Sequence, residues 1–380
     1  MDYSTMRTHS ASSPYSAFAA STSNNAIIIL LLALCFSFLV TLCSGSVLYP
    51  SDMSIATLIK VDPSGNGDYV TIQDAINSVP LDNSEFVFIL LKPGSYREKI
   101  VVPADRPFIT LSGMEADTTI ITWDDGGDIY QSPTFTVFAS NFVGRYLTIQ
   151  NTFGPSKKAV ALRVSGDKAA FYGCRILSYQ DSLLDAHGMH YYRDCYIEGG
   201  TDFICGNAAS IFERCHLHSL SKGTGAITAQ GRASPEENTG YVFLGCSITG
   251  VGTALLGRPW GAYSRVIFAL TYMPDHVILP VGWNDWGDPT KQSTVYYGQY
   301  NCYGGGANVS GRAEWSHVLS DEEAVPFLTK TMIGGRDWLR PVPTRFHKMR
   351  NSSPTTTTTT APPPAAPPPQ QTTKEPSSLA

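Results

Sequence analysis

Two aspartates spaced 21 residues apart are the part of the sequence best suited to acid–base chemistry. Asp181 lies in the segment 179–185, and Asp202 lies in the segment 199–207. If both occupy the same point on successive turns of a coiled β scaffold, their carboxylates lie within about 5 Å of each other. Two negative charges 4 Å apart repel by roughly 4 kcal/mol at an effective dielectric constant near 20. One carboxyl must then keep its proton well above the usual aspartate pKa, which gives a nucleophile beside a general acid.

Three further polar residues are of the types that would complete such a site. Arg258, in the segment 256–260, is the candidate cation: paired with Asp202, it would keep that carboxylate ionised and leave Asp181 as the protonated member. Gln180 is a neutral donor of the kind that stabilises an oxyanion. Lys158 precedes Gln180 by 22 residues, which places it about one turn earlier.

Tryptophans follow the candidate cation. Trp260, Trp283 and Trp286 would suit stacking on sugar rings, although an aromatic side chain is more often part of a core. An isolated aspartate in a turn is likewise more often a backbone cap. The functional interpretation therefore depends on the joint occurrence of these residues at the spacing of one turn.

From residue 140 onward the chain repeats itself, and the repeats carry the scaffold prediction. Four of them place a cysteine at the same point, in steps of 21, 20 and 31 residues, at Cys174, Cys195, Cys215 and Cys246. Short strands at a period near 20 indicate a solenoid, and no Leu-rich or heptad pattern accompanies them. The sequence therefore predicts an all-β fold, a right-handed parallel β-helix with short capping helices.

The cysteine repeat leaves two alternatives open. Equivalent positions on successive coils lie about 4.8 Å apart, which is within disulfide reach. In a secreted chain the pairs 174–195 and 215–246 could form, or the four could be a stack of buried thiols. Cys205 and Cys302 have no obvious partner, and Cys35 and Cys43 are expected to leave with an N-terminal signal.

Outside the repeats, local patterns predict several elements. Thr71 caps a short helix whose apolar face includes Ile72, Ala75 and Ile76. The apolar run 86–91 and the β-branched or aromatic runs 119–122 and 135–138 predict strands. Ser320 begins a helix with an acidic first turn, which we expect to cover one end of the coil.

Composition and the two ends of the chain set the domain limits. The net charge of −5 argues against nucleic-acid binding. The apolar run 26–43 predicts a secretory signal within residues 1–45, with an uncleaved membrane anchor as the alternative. The segment 352–380 is Thr- and Pro-rich and is expected to be a disordered tail. That leaves one domain, 46–351, in a secreted protein with glycosylation sequons at Asn308 and Asn351.

Five segments match, in order, the signature of plant pectin methylesterases: 94–98, 159–163, 179–183, 202–207 and 256–260. The chain resembles this family from about Ile59 to Leu339. The resemblance implies a right-handed parallel β-helix that hydrolyses methyl-esterified polygalacturonate to free carboxylate and methanol without metal or cofactor. It also implies a location in the cell wall and makes protein inhibitors of the family candidate partners; we expect a monomer. Only about a dozen residues separate the predicted signal from the first strand, as in short family members that lack a helical pro-region.

The resemblance also implies roles for single residues. Asp202 is similar to the nucleophile that attacks the C6 ester carbonyl. Asp181 resembles the acid that protonates the departing methanol and then activates water. Gln180 resembles an oxyanion donor, Arg258 the residue that orients the nucleophile, and Trp260 a residue that contacts substrate.

Four positions depart from the family pattern. Lys158 stands where the family has the second oxyanion glutamine, and it could stabilise an oxyanion as a point charge or pair with one of the aspartates and depress activity. Thr201, Cys205 and Leu255 replace a valine, a phenylalanine and a frequent tyrosine, which changes the packing of the pocket more than its chemistry.

Two rival functions follow from these residues. A polygalacturonide glycosidase on the same scaffold would also use paired carboxylates, but it would release shorter sugars instead of methanol. A pectin-binding wall protein whose chemistry is impaired by Lys158 would bind pectin without turnover, and Lys158→Gln would restore turnover.

Overall fold

The computed structural model describes Pro50 and residues 52–348; the predicted signal, the predicted tail, Asn351, Cys35 and Cys43 lie outside the described residues. The first strands along the chain are β1 (Ile55–Val61), β2 (Val87–Leu91), β3 (Gly94–Tyr96), β4 (Ile100–Val102), β5 (Ile109–Ser112), β6 (Thr119–Trp123), β7 (Phe135–Val137), β8 (Val143–Arg145), β9 (Thr148–Asn151), β10 (Leu162–Val164), β11 (Ala169–Tyr172), β12 (Arg175–Leu177) and β13 (Leu183–Asp185). The remaining strands are β14 (Met189–Arg193), β15 (Tyr196–Gly199), β16 (Ile204–Gly206), β17 (Ala209–Glu213), β18 (His216–Ser219), β19 (Gly225–Gln230), β20 (Gly240–Leu244), β21 (Ser247–Gly250), β22 (Ala254–Gly257), β23 (Arg265–Ala269), β24 (Tyr296–Tyr300), β25 (His317–Val318) and β26 (Arg345–Lys348).

These strands form three parallel sheets. The first runs β26-β1-β2-β5-β8-β11-β14-β17-β20-β23-β24-β25, the second β3-β6-β9-β12-β15-β18-β21, and the third β4-β7-β10-β13-β16-β19-β22. Neighbours within a sheet are mostly three strands apart in the chain, so each circuit contributes one strand to each sheet. Crossovers between parallel strands are right-handed in almost all proteins. The predicted parallel β-helix and its strands at 86–91, 119–122 and 135–138 are confirmed.

The strand register confirms that the 21-residue spacing is one circuit. In the third sheet Leu183 of β13 pairs with Ile204 of β16, and just before these strands Gln180 forms a parallel bridge with Thr201. Asp181 and Asp202 each follow a bridge residue directly. The two aspartates therefore occupy equivalent positions on neighbouring coils.

Aromatic rings fill the interior at the same period. Phe171 stacks on Tyr192 with ring centroids 5.2 Å apart, and Tyr192 stacks on Phe212 at 4.6 Å. The stack continues through Phe243 and Phe268 at 4.6 and 4.5 Å. Each ring comes from the same position of a first-sheet strand, so the inward side chains of successive coils fix the register that the site depends on.

The cysteine repeat is a column of buried thiols, and the predicted pairs 174–195 and 215–246 are not formed. Three of the four sulfurs lie near a carbonyl of the preceding coil: that of Cys195 near Phe171 at 3.5 Å, that of Cys215 near Tyr192 at 3.5 Å and that of Cys246 near Phe212 at 3.2 Å. The stacked-thiol alternative is therefore the one that the structure has. The column continues past the four predicted members, because Thr271 and then Cys302 occupy the same point on the next coils.

A left-handed residue precedes each member of this column, and also Leu147 one coil earlier, and turns the chain from the first sheet to the second. These corner residues have φ between 45° and 62° and are Tyr146, Gly173, Asp194, Arg214, Gly245, Leu270 and Asn301. Side chains other than glycine adopt this conformation infrequently, and Asn and Asp adopt it most readily. The corner is thus set by the geometry of the coil more than by residue type.

A buried polar network lies at the carboxyl end of β13. Asp185 is fully buried and accepts hydrogen bonds from the hydroxyl groups of Tyr192, at 2.7 Å, and Ser210. The Nδ1 atom of His190 lies 2.6 Å from the same carboxylate, and its Nε2 atom lies 2.9 Å from the carbonyl of Gly166. A polar group so deeply buried is tolerated only because it is surrounded by hydrogen-bond partners.

The two predicted helices are present, but the second is not where it was expected. Helix α1 (Ile72–Asn77) is capped by Thr71 and buries Ile72, Ala75 and Ile76 in the interior core. Helix α2 (Asp321–Ala324) has the predicted capping box of Ser320 and Glu323.

The segment that begins with α2 packs along the side of the coil instead of over its end. It continues through the 3₁₀ turns Val325–Phe327 and Lys330–Ile333 to helix α3 (Gly335–Trp338). Phe327, Ile333 and Trp338 cover the outward face of the first sheet, where the strand alternation directs Tyr191, Ile211 and Val242 away from the interior. The prediction that α2 covers an end of the coil was wrong. The outer face of the first sheet is also apolar and also has to be shielded from water, and the segment covers that face. Two further 3₁₀ turns, Pro289–Ser293 and Gly305–Ala307, lie in loops.

Across Pro50 and residues 52–348, no helix is long and apolar enough to cross a membrane.

Candidate active site

The candidate site lies at the corner where the chain passes from the second sheet to the third. Asp181 and Asp202 precede β13 and β16 by two residues each, and Arg258 directly follows β22 on a later coil. Lys158 lies in the loop that leads to β10, on the opposite side of the two aspartates. Four separate circuits thus contribute to one short stretch of the outer surface.

Both aspartates have a left-handed backbone, with φ of 62° at Asp181 and 48° at Asp202. The conformation turns the chain sharply into the third sheet. The amide N–H of Asp202 donates to the carbonyl of Ala226 at 2.6 Å, and that of Asp181 donates to the carbonyl of Thr201 at 3.4 Å. The two side chains therefore start from backbones of the same shape on neighbouring coils. The coil holds both aspartates in this conformation, as it holds the corner residues between the first and second sheets.

Arg258 holds Asp202 in one orientation. Its Nε donates to Oδ1 of Asp202 at 2.8 Å, and its terminal NH2 group donates to Oδ2. The guanidinium also lies over the ring of Trp286, with its central carbon 3.9 Å from the ring centroid. Asp202 is 4% exposed, so this two-pronged contact compensates much of the cost of burying its negative charge. The predicted pairing of Arg258 with Asp202 is present.

Asp181 is the protonated member of the pair. Burial raises its pKa from the ordinary 3.8 to about 7, and the neighbouring negative charge of Asp202 adds to the effect. Lys158 and Arg258 oppose the rise but do not cancel it. At mildly acidic pH Asp181 therefore keeps its proton, next to the carboxyl that pairs with Arg258.

Around the two carboxyls lies a cavity of about 150 Å³. Its lining includes all of the predicted site residues, namely Asp181, Asp202, Gln180, Lys158, Arg258 and Trp260, together with Trp286, Ile129, Cys205 and Ala229. Polar groups lie at one side, and small or apolar side chains form the floor. A cavity of this kind can hold a small uncharged group next to a nucleophile and an acid.

Lys158 reaches the cavity without pairing to either carboxylate. The ion pairs formed by residues 52–348 do not include Lys158. The predicted alternative in which it locks Asp181 in the ionised state is therefore not what the structure has, because Asp181 keeps a pKa of about 7 beside it. Lys158 remains available as a positive charge facing the cavity.

The three tryptophans divide between core and site. Trp283 is 2% exposed and packs against Tyr297, with ring centroids 4.5 Å apart, so a substrate-stacking role for it is wrong. Trp260 and Trp286 are 42% and 39% exposed and flank the cavity. The sequence alone could not tell the core tryptophan from those at the cavity, because Trp283 and Trp286 are only three residues apart. They lie on opposite sides of the wall that the strands form.

Apart from Cys205, sequence reasoning missed the apolar floor of the cavity. Ile129, Leu184, Cys205 and Ala229 belong to a small cluster outside the third sheet, separate from the interior core. The outward positions of three short strands could have indicated part of it, but Ile129 comes from a loop with no regular pattern. The arrangement as a whole can attack a carbonyl carbon from one carboxylate and donate a proton to the leaving group from the other.

Comparison with known proteins agrees with this geometry. The family model for pectinesterase matches residues 58–336. This chain belongs to the pectinesterase family. A putative pectinesterase 11 from Arabidopsis thaliana is 61% identical over 297 residues, covering 78% of this chain and 84% of the relative.

Solved pectinesterases have the same architecture. The pectin methylesterase from carrot superimposes with a TM-score of 0.72 at 36% identity, covering 74% of this chain and 94% of that one. A pectin methylesterase in complex with a hexasaccharide matches with a TM-score of 0.63 at 26% identity, covering 75% and 98%. The right-handed parallel β-helix predicted from the repeats is thus the fold of this pectinesterase.

Proposed function

We propose that this chain hydrolyses the methyl esters of polygalacturonate, with Asp202 as the nucleophile and Asp181 as the general acid and base. The observation that carries the proposal is the pair itself: an ionised carboxylate fixed by Arg258 beside a carboxyl whose pKa is raised to about 7. Membership of the pectinesterase family supports the substrate class.

The first half-reaction forms an acyl-enzyme. A carboxylate oxygen of Asp202 attacks the C6 ester carbonyl, and the carbonyl oxygen becomes an oxyanion. The side-chain amide of Gln180 and the ammonium of Lys158 line the same cavity, and donors of this kind stabilise a developing oxyanion. The oxyanion collapses, the C6–O bond to the methoxy group breaks, and Asp181 gives its proton to the departing methanol.

The second half-reaction reverses these roles. Asp181, now ionised, removes a proton from water, which attacks the C6 carbon of the mixed anhydride with Asp202. The bond to Asp202 breaks, the free uronic acid leaves, and both carboxyls return to their starting states. Arg258 contacts both oxygens of Asp202, which fixes the orientation of the nucleophile before the attack.

The two rival functions are less well supported. In a catalytically impaired binding protein, Lys158 would have to hold Asp181 in its deprotonated form. Lys158 forms an ion pair with neither aspartate among residues 52–348, and the pKa of Asp181 stays at about 7. A glycosidase would need a carboxylate pair that spans a glycosidic bond, whereas the family and the solved relatives are esterases. We further propose that the protein acts as a secreted monomer in the cell wall and that protein inhibitors of pectinesterases are candidate partners.

The test is methanol release from highly methyl-esterified pectin, with new reducing ends measured in parallel. We expect methanol without reducing ends, and we expect Asp202→Ala to abolish it. Asp194→Ala is a matched control, because Asp194 also has a left-handed backbone, with φ of 54°, and a two-pronged contact with an arginine, Arg214, but lies on the outside. Reducing ends without methanol, or full methanol release by Asp202→Ala, would remove the proposal.

A further inference from the structure

A row of outward side chains crosses the third sheet next to the cavity, one from each coil. Paired positions place Thr136, Arg163, Leu184, Cys205 and Ala229 side by side. Their neighbours along each strand, such as Leu162 and Val164, belong to the interior core, so these five point outward. Cys205 and Ala229 line the cavity. Arg163 is two strands beyond Cys205, which is roughly 10 Å along the row.

Arg163 is held in place without a carboxylate partner. Its guanidinium carbon lies 4.9 Å from the ring centroid of Tyr130 and 5.0 Å from that of Phe138. Its Nε donates to the hydroxyl of Ser165 at 3.2 Å. Within Pro50 and residues 52–348 it forms no ion pair, and its two terminal nitrogens have no protein acceptor. This arrangement fixes the orientation of the guanidinium while its carboxylate-binding edge stays open.

Asp128 is the acidic side chain whose charge acts on Arg163. The ion pairs among residues 52–348 do not include Asp128, whose Oδ1 accepts from the backbone N–H groups of Tyr130 and Gln131 at 2.8 and 3.0 Å. Asp128 therefore shapes the turn that presents Tyr130, and Arg163 keeps its charge unpaired. An unpaired arginine fixed between two aromatic rings has the chemistry of an anion-binding position.

The position of Arg163 connects it with the cavity. Ile129, which lines the cavity, directly precedes Tyr130 in the same loop. Leu184 fills the one strand between Arg163 and Cys205. Trp260 and Trp286 lie towards the other end of the row, because Arg258 follows β22, contacts the ring of Trp286 and precedes Trp260 by two residues. A polymer lying across the coils through the cavity would therefore pass Arg163 on one side and the tryptophans on the other.

We propose that Arg163 binds the free carboxylate of a galacturonate unit that flanks the unit being de-esterified. This inference deepens the proposed function and rests on it. A methyl-esterified unit has no negative charge to offer, so Arg163 distinguishes a de-esterified neighbour from an esterified one. The enzyme then binds partially de-esterified chains more tightly than fully esterified ones.

The first experiment compares KM for methanol release on partially and on highly methyl-esterified pectin of equal length. The wild-type ratio should favour the partially esterified substrate, and Arg163→Gln should reduce that preference by about fivefold, the size expected for one partly exposed ion pair. Arg163→Lys should restore part of it. Arg175→Gln is the matched control, because Arg175 also lies over an aromatic ring, Tyr196, but on the second sheet away from the row.

The second experiment measures binding without turnover. A fully de-esterified oligogalacturonate is titrated calorimetrically into the Asp202→Asn variant with and without Arg163→Gln. We expect about fivefold weaker binding when Arg163 is replaced. Equal affinities, or an unchanged KM ratio in Arg163→Gln, would overturn the inference. Absence of methanol release by the wild-type enzyme would instead remove the proposed function, and the calorimetric comparison would still decide whether Arg163 binds a carboxylate.

Discussion

Replacing Asp181 by asparagine should make the protein more stable while making it inactive. Asp181 is 6% exposed, and its pKa in the fold is about 7, compared with an ordinary value of 3.8. The unfolded chain therefore ionises this group at lower pH than the folded chain does. As pH rises from about 4 to about 7, ionisation favours the unfolded state, and the folded state loses stability over that window.

The magnitude follows from the size of the pKa change. Each pKa unit corresponds to 1.36 kcal/mol, so the ionised Asp181 costs the fold about 4 kcal/mol at pH 8, where both states are ionised. Asparagine is close in shape, carries no charge and tolerates the left-handed backbone. We expect Asp181→Asn to be more stable than wild type by up to about 4 kcal/mol at pH 8 and nearly equal to it at pH 3.

The assay is urea unfolding followed by tryptophan fluorescence at both pH values, beside methanol release. Asp194→Asn is the control of opposite sign, because the hydrogen bonds from Arg214 lower the pKa of Asp194, so that variant should lose stability at pH 8. Methanol release by Asp181→Asn should fall by at least about a hundredfold, since the general acid is gone. Equal stability of wild type and Asp181→Asn at pH 8 would refute the argument that burial and Asp202 keep the proton on this group.

Three further variants test the rest of the site and its support. Arg258→Lys keeps a positive charge but loses the two-pronged contact with Asp202, so kcat should fall by about a hundredfold with an unchanged circular dichroism spectrum; a kcat close to wild type would show that orientation by Arg258 is unimportant. Lys158→Gln removes a charge that lowers the pKa of Asp181, so the alkaline limb of the pH–rate profile should move to higher pH, and a shift to lower pH would be inconsistent with the structure. Asp185→Asn replaces one of two buried acceptor oxygens with a donor beside Tyr192, Ser210 and His190, and urea unfolding should show a loss of about 3 kcal/mol, whereas a loss under about 1 kcal/mol would mean that the network contributes little.

The sequence predicted which residues lie next to each other on neighbouring coils better than it predicted the backbone conformation within one coil. A spacing of 21 residues between Asp181 and Asp202 is one circuit, and the paired strands confirm it. The left-handed φ of both aspartates was not predicted, because Asp is common in turns of many kinds. Periodicity reports which residues are neighbours, whereas the backbone conformation at a corner depends on the whole coil.

Residues outside the repeat were harder to place. Trp283 and Trp286 have similar local sequences, yet one is core and the other flanks the cavity, because the wall of the coil passes between them. The column of thiols continues through Thr271 to Cys302, and a search for cysteines alone could not find it. The row that brings Arg163 near the cavity likewise depends on strand register that only the assembled sheet provides.

The most direct test of the account is a titration of the Asp181 carboxyl by NMR of protein labelled with ¹³C at aspartate carboxyls. The resonance is assigned by its loss in Asp181→Asn. We expect the wild-type protein to show Asp181 titrating with a pKa near 7, and we expect that pKa to fall in Asp202→Asn because the neighbouring negative charge is removed. An Asp181 carboxyl that is fully ionised at pH 5.5, or whose pKa does not respond to Asp202→Asn, would contradict the claim that two coils place one ionised and one protonated aspartate side by side.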